Sequence, residues 1–219
     1  MGSETCTGEL KQRTGSDDVD ALLRAYERLA PLYDFFFGKT LDRGRSVAVR
    51  ATNGWARRVL EVGVGTGISL PFYRCDHEVT GVDISPQMLA RARERVTALN
   101  LTHVRDLLEM DASHLNFPDN SFDAVIAMYV MPVVPDPEKV LREIERVCTP
   151  GGKVIIVNHF AKQNGLRGKL ERRLVPICEF LGWRIDFCLD QIVSCTSLNL
   201  RRIQTLGPFG LYTLLQLSK

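Results

Sequence analysis

The sequence predicts a single α/β domain, with a mostly parallel sheet and helices on both of its faces. From Arg58 onward, short apolar runs alternate with amphipathic segments of helical period, and the first run ends in a glycine-rich turn. Such alternation is typical of parallel strands joined by right-handed helical crossovers. With 219 residues, 45% of them hydrophobic, the chain is long enough to bury one sizeable core.

Two N-terminal segments precede this alternation. Residues 1–16 are polar and predict a flexible tail, and residues 17–57 predict a helical segment that belongs to the same domain as 58–219. Apolar residues three and four apart predict a first helix that ends at Pro31. A second helix is predicted over Asp42–Ala51.

The elements of the alternating region follow in order. Ser85 caps the first helix of this region, and Pro86 suits its first turn. A glycine turn predicts the passage from the first strand into a helix. The predicted strands are Val59–Val64, Val79–Ile84, Leu107–Met110, Phe122–Val130 and Lys153–Phe160, and the predicted helices cover Pro86 to about Leu99 and Asp136–Cys148.

The last third of the chain departs from this rhythm. Leu166–Leu181 predicts a helix, and Leu198–Thr205 with Leu211–Leu217 predicts a terminal hairpin around Gly207 and Pro208. Three histidines near strand ends and loops are predicted to lie at the surface: His77, His103 and His114.

Composition excludes several classes of partner. A net charge of +2 gives no reason to expect nucleic acid as a partner. Six cysteines without a CxxC pair predict neither a metal site nor a disulfide scaffold, and they favour a reducing cytoplasm. No apolar run is long enough to span a bilayer, and the polar N-terminus does not have the pattern of a signal peptide. A cytoplasmic monomer is the expectation.

The glycine turn carries the strongest functional signal. Its sequence, LEVGVGTG over 60–67, has GxGxG spacing, whereas dinucleotide-binding turns have GxGxxG and phosphate-binding loops carry GK[ST]. Glu61 would repel a pyrophosphate and attract an ammonium group. Asp83 ends the next strand and is placed to accept hydrogen bonds from two ribose hydroxyls. These features favour S-adenosylmethionine, which has an amino acid end and no phosphate, over a nicotinamide cofactor.

Two more residues extend this site toward an adenine. Asp111 follows the third strand and is predicted to accept from the exocyclic amine, and Met88 is predicted to cover a face of the base. Strand ends of this kind form the ligand crevice of open α/β sheets.

Five motifs in order resemble the class I S-adenosylmethionine-dependent methyltransferases: EVGVGTG, VTGVDIS, EMDAS, FDAVIAMYV and TPGGKVIIV. The resemblance implies a Rossmann-like sheet of seven strands with an antiparallel last strand, and an N-terminal lid over the cofactor. More narrowly, YERLAPLYDFFFG, GISLPFY, MYVMPVVPDPEKV and VNHF resemble bacterial phospholipid N-methyltransferases, which convert phosphatidylethanolamine to phosphatidylcholine. Quinone-biosynthesis C-methyltransferases share parts of this pattern.

The resemblance also implies roles for individual residues. His159 is the preferred proton acceptor, and Tyr129, Tyr26 and Tyr33 are expected to position the amine, with cation–π attraction to its methylated forms. A core role for Tyr26 or Tyr33, and a structural role for His159, are the alternative interpretations. The implied cofactor site consists of Tyr26, Glu61, Gly63, Gly65, Gly67, Asp83, Ile84, Met88, Asp111, Ala112 and Met128.

Basic residues predict reversible attachment to an anionic membrane surface, at the inner face of the cell membrane. A solvated helix face is the alternative interpretation of the same charges. The predicted membrane patch consists of Arg24, Arg28, Lys39, Lys162, Arg167, Lys169, Arg172 and Arg173.

Three functions therefore stay open: phospholipid N-methylation, C-methylation of a quinone precursor or another small molecule, and non-catalytic binding of S-adenosylmethionine as a regulator.

Overall fold

The computed structural model describes residues 42–158, 194–206 and 212–219. Within these ranges it contains one seven-stranded sheet, in the order β3-β2-β1-β4-β5-β7-β6. The elements are α1 (42–50), β1 (Arg58–Val62), a 3-10 helix (Leu70–Phe72), β2 (Glu78–Asp83), α2 (Pro86–Ala98), β3 (Val104–Glu109), β4 (Phe122–Met128), α3 (Pro137–Val147), β5 (Cys148–Asn158), β6 (Asn199–Leu206) and β7 (Tyr212–Ser218).

The strand directions confirm the predicted α/β fold. Strands β1 to β5 pair in parallel, with β1 between β2 and β4. Strand β7 runs antiparallel to both β5 and β6. The terminal hairpin and the antiparallel last strand are therefore confirmed, and the carboxyl ends of β1 to β5 all meet at one edge of the sheet.

The core has two layers, one on each face of the sheet. On one face, α3 buries Val140, Leu141 and Ile144 against alternate residues of β1, β4 and β5. On the other face, Ala48 of α1 and Leu89 of α2 pack against the intervening residues of the same strands. Helices on both faces require strands that are apolar on both sides, as the run in β4 is.

The caps of two helices follow local sequence rules. The Ser85 side chain accepts from the Met88 N–H at 3.3 Å, and Pro86 occupies the first turn of α2. Asp136 does the same for α3, where its Oδ1 accepts from the Lys139 N–H at 2.9 Å. Both helix starts were therefore predictable from the residues that begin them.

Two predicted strand starts and one predicted helix differ from the structure. Strand β3 begins at Val104, three residues before the predicted Leu107, because its polar half pairs with β2 at the sheet edge. Strand β5 begins at Cys148, five residues before the predicted Lys153, and its first residues pair irregularly with β4. The glycine turn leads only into the 3-10 helix Leu70–Phe72, which contains Pro71, and not into an α-helix.

Two of the three histidines contradict their predicted surface positions. His77 is 2% exposed and its Nε2 lies 3.4 Å from the Thr52 hydroxyl. His103 is 7% exposed and its Nε2 lies 2.9 Å from the Leu70 carbonyl oxygen. Both rings pack beside Tyr73. These rings are buried because their polar nitrogens find partners, which periodicity does not reveal. His114 is exposed, as predicted.

Candidate active site

The ends of the first three strands are joined through backbone hydrogen bonds. The N–H groups of Gly63 and Val64 both donate to the Val82 carbonyl, at 2.8 and 3.0 Å. The Met110 N–H donates to the Asp83 carbonyl at 3.0 Å. The glycine turn, the end of β2 and the loop after β3 therefore form one connected edge, as the sequence predicted.

Gly65 and Asp83 form the centre of this edge. The Gly65 N–H donates to Asp83 Oδ2 at 2.8 Å, and the Ser85 N–H donates to Asp83 Oδ1 at 2.9 Å. Gly65 has φ +56°, and an added Cβ would meet no atom of the described chain within 4 Å. Within the part of the chain that the structure describes, the backbone at Gly65 is therefore bare on one side, where a ligand has room to approach. Each Asp83 oxygen keeps a lone pair for a further donor.

The other two glycines of the turn face protein atoms. A Cβ at Gly63 would lie 2.2 Å from Val130 Cγ2. A Cβ at Gly67 would lie 2.8 Å from Leu70 Cδ1 and 3.1 Å from Ala92 Cβ in α2. Both positions need glycine for close packing, so of the three predicted glycines Gly65 has the most open surroundings.

Glu61 lies beneath the turn and is 2% exposed. Its Oε1 accepts a short hydrogen bond from the Ser69 hydroxyl, and its Oε2 accepts from the Tyr73 hydroxyl at 2.7 Å. Ser69 follows the turn, and Tyr73 follows the 3-10 helix. Glu61 therefore connects the end of β1 to the loop that follows it, in addition to placing negative charge under the turn.

Burial raises the pKa of both acids. Burial raises the pKa of Glu61 from 4.5 to about 7, although the Ser69 and Tyr73 hydroxyls and the Arg45 charge favour its ionised form. Burial also raises the pKa of Asp83, although the Ser85 and Gly65 N–H groups oppose this. The charge of Glu61 consequently changes near neutral pH.

On the predicted adenine side the residues differ in exposure. Met88 is 4% exposed, whereas Ile84 and Ala112 are half-buried. The exposed Asp111 accepts from the Ser113 N–H at 2.8 Å and from its hydroxyl at 2.7 Å. Burial alone would raise the pKa of Asp111, but these hydrogen bonds outweigh it and lower the pKa. Asp111 is therefore a fixed acceptor at the end of β3.

Tyr129 stands at the end of β4, next to buried Met128. Its backbone is left-handed, with φ +63°, which is costly for a bulky side chain and typical of functional sites. Its N–H donates to the Val157 carbonyl at 2.7 Å. A Cβ at Gly44 would lie 2.2 Å from the Tyr129 hydroxyl, so α1 and this ring meet closely.

Two further residues surround the Tyr129 ring. The guanidinium carbon of Arg45 lies 5.5 Å from the ring centroid. The ring of Tyr212, at the start of β7, packs edge-on at 5.4 Å between centroids. Arg45 is 7% exposed and its charge also favours the ionised form of Glu61. It is therefore close to both Tyr129 and Glu61.

Four residues around Glu61 and Tyr129 were not predicted as site residues: Ser69, Tyr73, Arg45 and Tyr212. Ser69 and Tyr73 lie 8 and 12 residues after Glu61, and the GISLPFY motif that contains them was the available signal. Arg45 follows a glycine inside α1, a position typical of close helix packing. Tyr212 comes from the far end of the chain, so no local pattern connects it to Tyr129.

Several predicted site residues lie outside the described residues. They are His159, Tyr26 and Tyr33, together with all eight members of the predicted membrane patch: Arg24, Arg28, Lys39, Lys162, Arg167, Lys169, Arg172 and Arg173. Their predicted roles stay predictions. Among the described residues, no helix is long and apolar enough to cross a membrane, and no group of three acidic, cysteine or histidine side chains is arranged to hold a metal ion.

Comparison with known proteins indicates the family of this chain. A family model described as a methyltransferase domain matches residues 60–156. The chain is 44% identical over 202 residues to a phosphatidylethanolamine N-methyltransferase of Cereibacter sphaeroides, covering 92% of this chain and 99% of that one. It is 35% identical over 173 residues to a demethylmenaquinone methyltransferase of Thermus thermophilus, covering 74% and 76%.

A solved structure supports the fold. A possible histamine N-methyltransferase of Thermotoga maritima, described as dependent on S-adenosylmethionine, superimposes with a TM-score of 0.68. The superposition covers 90% of this chain and 99% of that one at 21% identity. At that identity the likeness concerns the fold, and it agrees with the mixed seven-stranded sheet.

Proposed function

The chain belongs to the S-adenosylmethionine-dependent methyltransferases, and on that premise we propose that it methylates the amine of phosphatidylethanolamine. The mono- and dimethyl forms are further substrates, and phosphatidylcholine is the final product. The observation that carries the proposal is the 44% identity to a phosphatidylethanolamine N-methyltransferase across nearly the whole of both chains. The match to the demethylmenaquinone enzyme is weaker and shorter.

The described residues fit the cofactor. The open backbone at Gly65 leaves space beside the turn, and the remaining lone pairs of Asp83 suit the two ribose hydroxyls. In its ionised form Glu61 places negative charge below the turn, which favours an ammonium group and opposes a phosphate. When bound, S-adenosylmethionine supplies an electrophilic methyl group on a sulfonium centre.

The chain itself supplies position and environment to the reaction. Collinear placement of an acceptor and a methyl group is worth up to roughly 7–11 kcal/mol. The Tyr129 ring beside the end of β4 and the Tyr212 ring at the start of β7, 5.4 Å apart between centroids, supply an aromatic wall for the acceptor. The Arg45 guanidinium already takes the cation–π position over the Tyr129 ring. His159, one residue beyond β5, is our proposed proton acceptor from the amine.

One assay tests the substrate. The protein is incubated with labelled S-adenosylmethionine and liposomes that contain phosphatidylethanolamine, or with matched liposomes that contain demethylmenaquinone, and the lipids are then separated. We expect label in the mono-, di- and trimethylated phospholipids only. Label in the quinone fraction alone would replace this proposal with the C-methyltransferase.

Peripheral attachment to the cytoplasmic face of an anionic membrane is part of the proposal. It depends on the eight-residue basic patch defined above and is supported by its charge. We expect flotation with anionic liposomes at low salt and release at high salt, because screening weakens such contacts. Binding that does not change with salt would contradict the electrostatic part of the proposal.

A further inference from the structure

Asn158 is the last residue of β5 and is completely buried, with 0% of its surface exposed. Neither its Oδ1 nor its Nδ2 has a hydrogen-bond partner among the described residues. A buried amide without partners is destabilising, because it loses its bonds to water and gains none in return. Such a group in an otherwise well-satisfied core needs a specific explanation.

The position of Asn158 in the sheet supplies one. Side chains alternate along a strand, so Asn158 continues the row of Val154 and Ile156, which fill the core on the α3 face. Asn158 stands where that apolar row reaches the carboxyl edge of the sheet. An aliphatic residue would continue the row without an unpaired polar group, so packing does not explain the amide.

Asn158 and its neighbours form a part of the carboxyl edge that we call the acceptor half. It consists of the end of β4 with Tyr129, the end of β5, and the start of β7 with Tyr212. In the register, Val157 pairs with Met128 of β4, and Tyr129 donates from its N–H to the Val157 carbonyl at 2.7 Å. On the other side, Asn158 pairs with Thr213 of β7, the residue that follows Tyr212. The Asn158 backbone therefore lies one strand away from the strained backbone of Tyr129. The Asn158 side chain is on the α3 face and the Tyr129 ring packs on the α1 face, so a ligand can reach both only at the carboxyl edge, where the two faces meet.

We propose that the Asn158 side chain binds the acceptor amine, with Oδ1 accepting a hydrogen bond from an N–H of the nitrogen that is methylated. This proposal rests on the proposed function. As the N–C bond forms from the nitrogen lone pair, the S–C bond breaks and its electron pair stays on sulfur. Positive charge thus appears on the nitrogen, and its N–H becomes a stronger donor to Oδ1. An interaction that strengthens in the transition state accelerates the reaction.

The number of N–H groups that can donate to Asn158 falls along the methylation series. The neutral amine of phosphatidylethanolamine carries two N–H groups, the monomethyl form carries one, and the dimethyl form carries none. Asn158 therefore assists the first methylation most, and it has no N–H to accept from in the last. A merely structural role would affect all three steps alike.

The test replaces Asn158 by Leu and measures each methylation step separately on vesicles of the three lipids. We expect kcat/KM to fall about 10- to 100-fold on phosphatidylethanolamine, less on the monomethyl form, and less than about twofold on the dimethyl form. The same variant should melt about 2–6 °C higher, because a buried unpaired amide has been removed.

A control and a second variant complete the design. Asn53 Oδ1 is also buried without a partner among the described residues, but it lies before β1, at the opposite edge of the sheet. Asn53→Ala should leave all three steps unchanged. Asn158→Ala gives the same comparison if Leu proves too large to fold.

The possible outcomes distinguish the role of Asn158 from the proposed function. Equal losses on the three lipids, or no loss at all, would overturn the role of Asn158 in an enzyme that still methylates phospholipid. Wild-type protein that methylates none of the three lipids would overturn the proposed function itself, and the role of Asn158 with it. A graded loss along the series supports the inference.

Discussion

The two halves of the carboxyl edge of the sheet are built differently. In the cofactor half, at the ends of β1 to β3, the acids Glu61 and Asp83 have both oxygens hydrogen-bonded to nearby groups of the chain. In the acceptor half, at the ends of β4 and β5 and the start of β7, Tyr129 has a strained backbone. Asn158 there lacks partners among the described residues.

This difference matches the ligand proposed for each half. A cofactor of constant structure suits a pre-formed set of acceptors that stay in place when the ligand leaves, because ordering them costs nothing at binding. An acceptor that changes with each methylation suits groups whose bonds are completed by the substrate. The fully hydrogen-bonded acids therefore lie in the first half, whereas the strained backbone of Tyr129 and the unpaired Asn158 amide lie in the second.

The largest expected effect tests the cofactor half. Asp83→Ala removes the acceptor of the Gly65 and Ser85 N–H groups and of the predicted ribose contacts. We expect the affinity for S-adenosylmethionine to fall about 100-fold or more, roughly 3 kcal/mol, by calorimetry.

Asp123 is the matched control for Asp83. Its Oδ2 accepts from the N–H groups of Arg57 and Arg58, at 3.0 and 2.8 Å, at the opposite edge of the sheet. Asp123→Ala should lower stability and leave cofactor affinity close to wild type. Equal losses of affinity in the two variants would show that Asp83 acts only by holding the fold together.

The second effect concerns pH. The pKa of Glu61 is raised from 4.5 in an unfolded chain to about 7 in the folded one. The folded state therefore holds a proton more tightly, and this contribution to stability is present below about pH 4.5 and lost as the pH rises to about 7. Glu61→Gln does not titrate, so its stability relative to wild type should grow by roughly 3 kcal/mol between pH 4.5 and pH 8.

Denaturant unfolding at several pH values measures this difference. Gln keeps one of the two acceptor oxygens, and the loss of the other changes stability by an amount that does not depend on pH. The pH dependence of the difference therefore reports the charge of Glu61. Free energies of unfolding that run parallel with pH in the two proteins would contradict a raised pKa at Glu61.

A smaller effect separates backbone strain from ligand approach. Gly65→Ala introduces a Cβ at φ +56°, which costs about 1–2 kcal/mol of stability and places a methyl group where the backbone is bare. Gly151 has φ +78°, and an added Cβ there also meets no described atom within 4 Å. Both Ala variants should lose similar stability in thermal unfolding.

Only Gly65→Ala should also weaken binding of S-adenosylmethionine, by about tenfold, which corresponds to about 1.4 kcal/mol. Equilibrium dialysis of both variants measures this. Unchanged affinity in Gly65→Ala would place the cofactor away from the turn.

The smallest expected effect concerns the acceptor half. Gly44→Ala places a Cβ against the Tyr129 hydroxyl, which must then move. We expect kcat/KM for the lipid to fall about three- to tenfold, or about 1 kcal/mol, while cofactor affinity changes little. Adding Tyr129→Phe removes the clash, so a double-mutant cycle over the two positions should show coupling. Additive losses would mean that the contact between α1 and this ring does not position the acceptor.

The cofactor half was largely predictable because its signals are local. A glycine turn after an apolar strand, and an acid at the end of the next strand, place Gly65 and Asp83 by chain connectivity alone. The burial of His77 and His103 was predicted wrongly, because their partners come from other segments. The early start of β3 was missed for a similar reason, since its polar half is a strand only through pairing with β2.

The sequence by itself determined the α/β fold, the cofactor turn and its acids, and the family to which the chain belongs. It did so because strand periodicity, turn chemistry and strand-end acids are encoded within a few neighbouring residues. Only the tertiary structure placed Arg45 and Tyr212 around Tyr129, raised the pKa of Glu61, and left the Asn158 amide buried on the opposite, α3 face of the same edge. Contacts between segments far apart in the chain, and the loss of water on burial, arise only when the sheet and helices pack together.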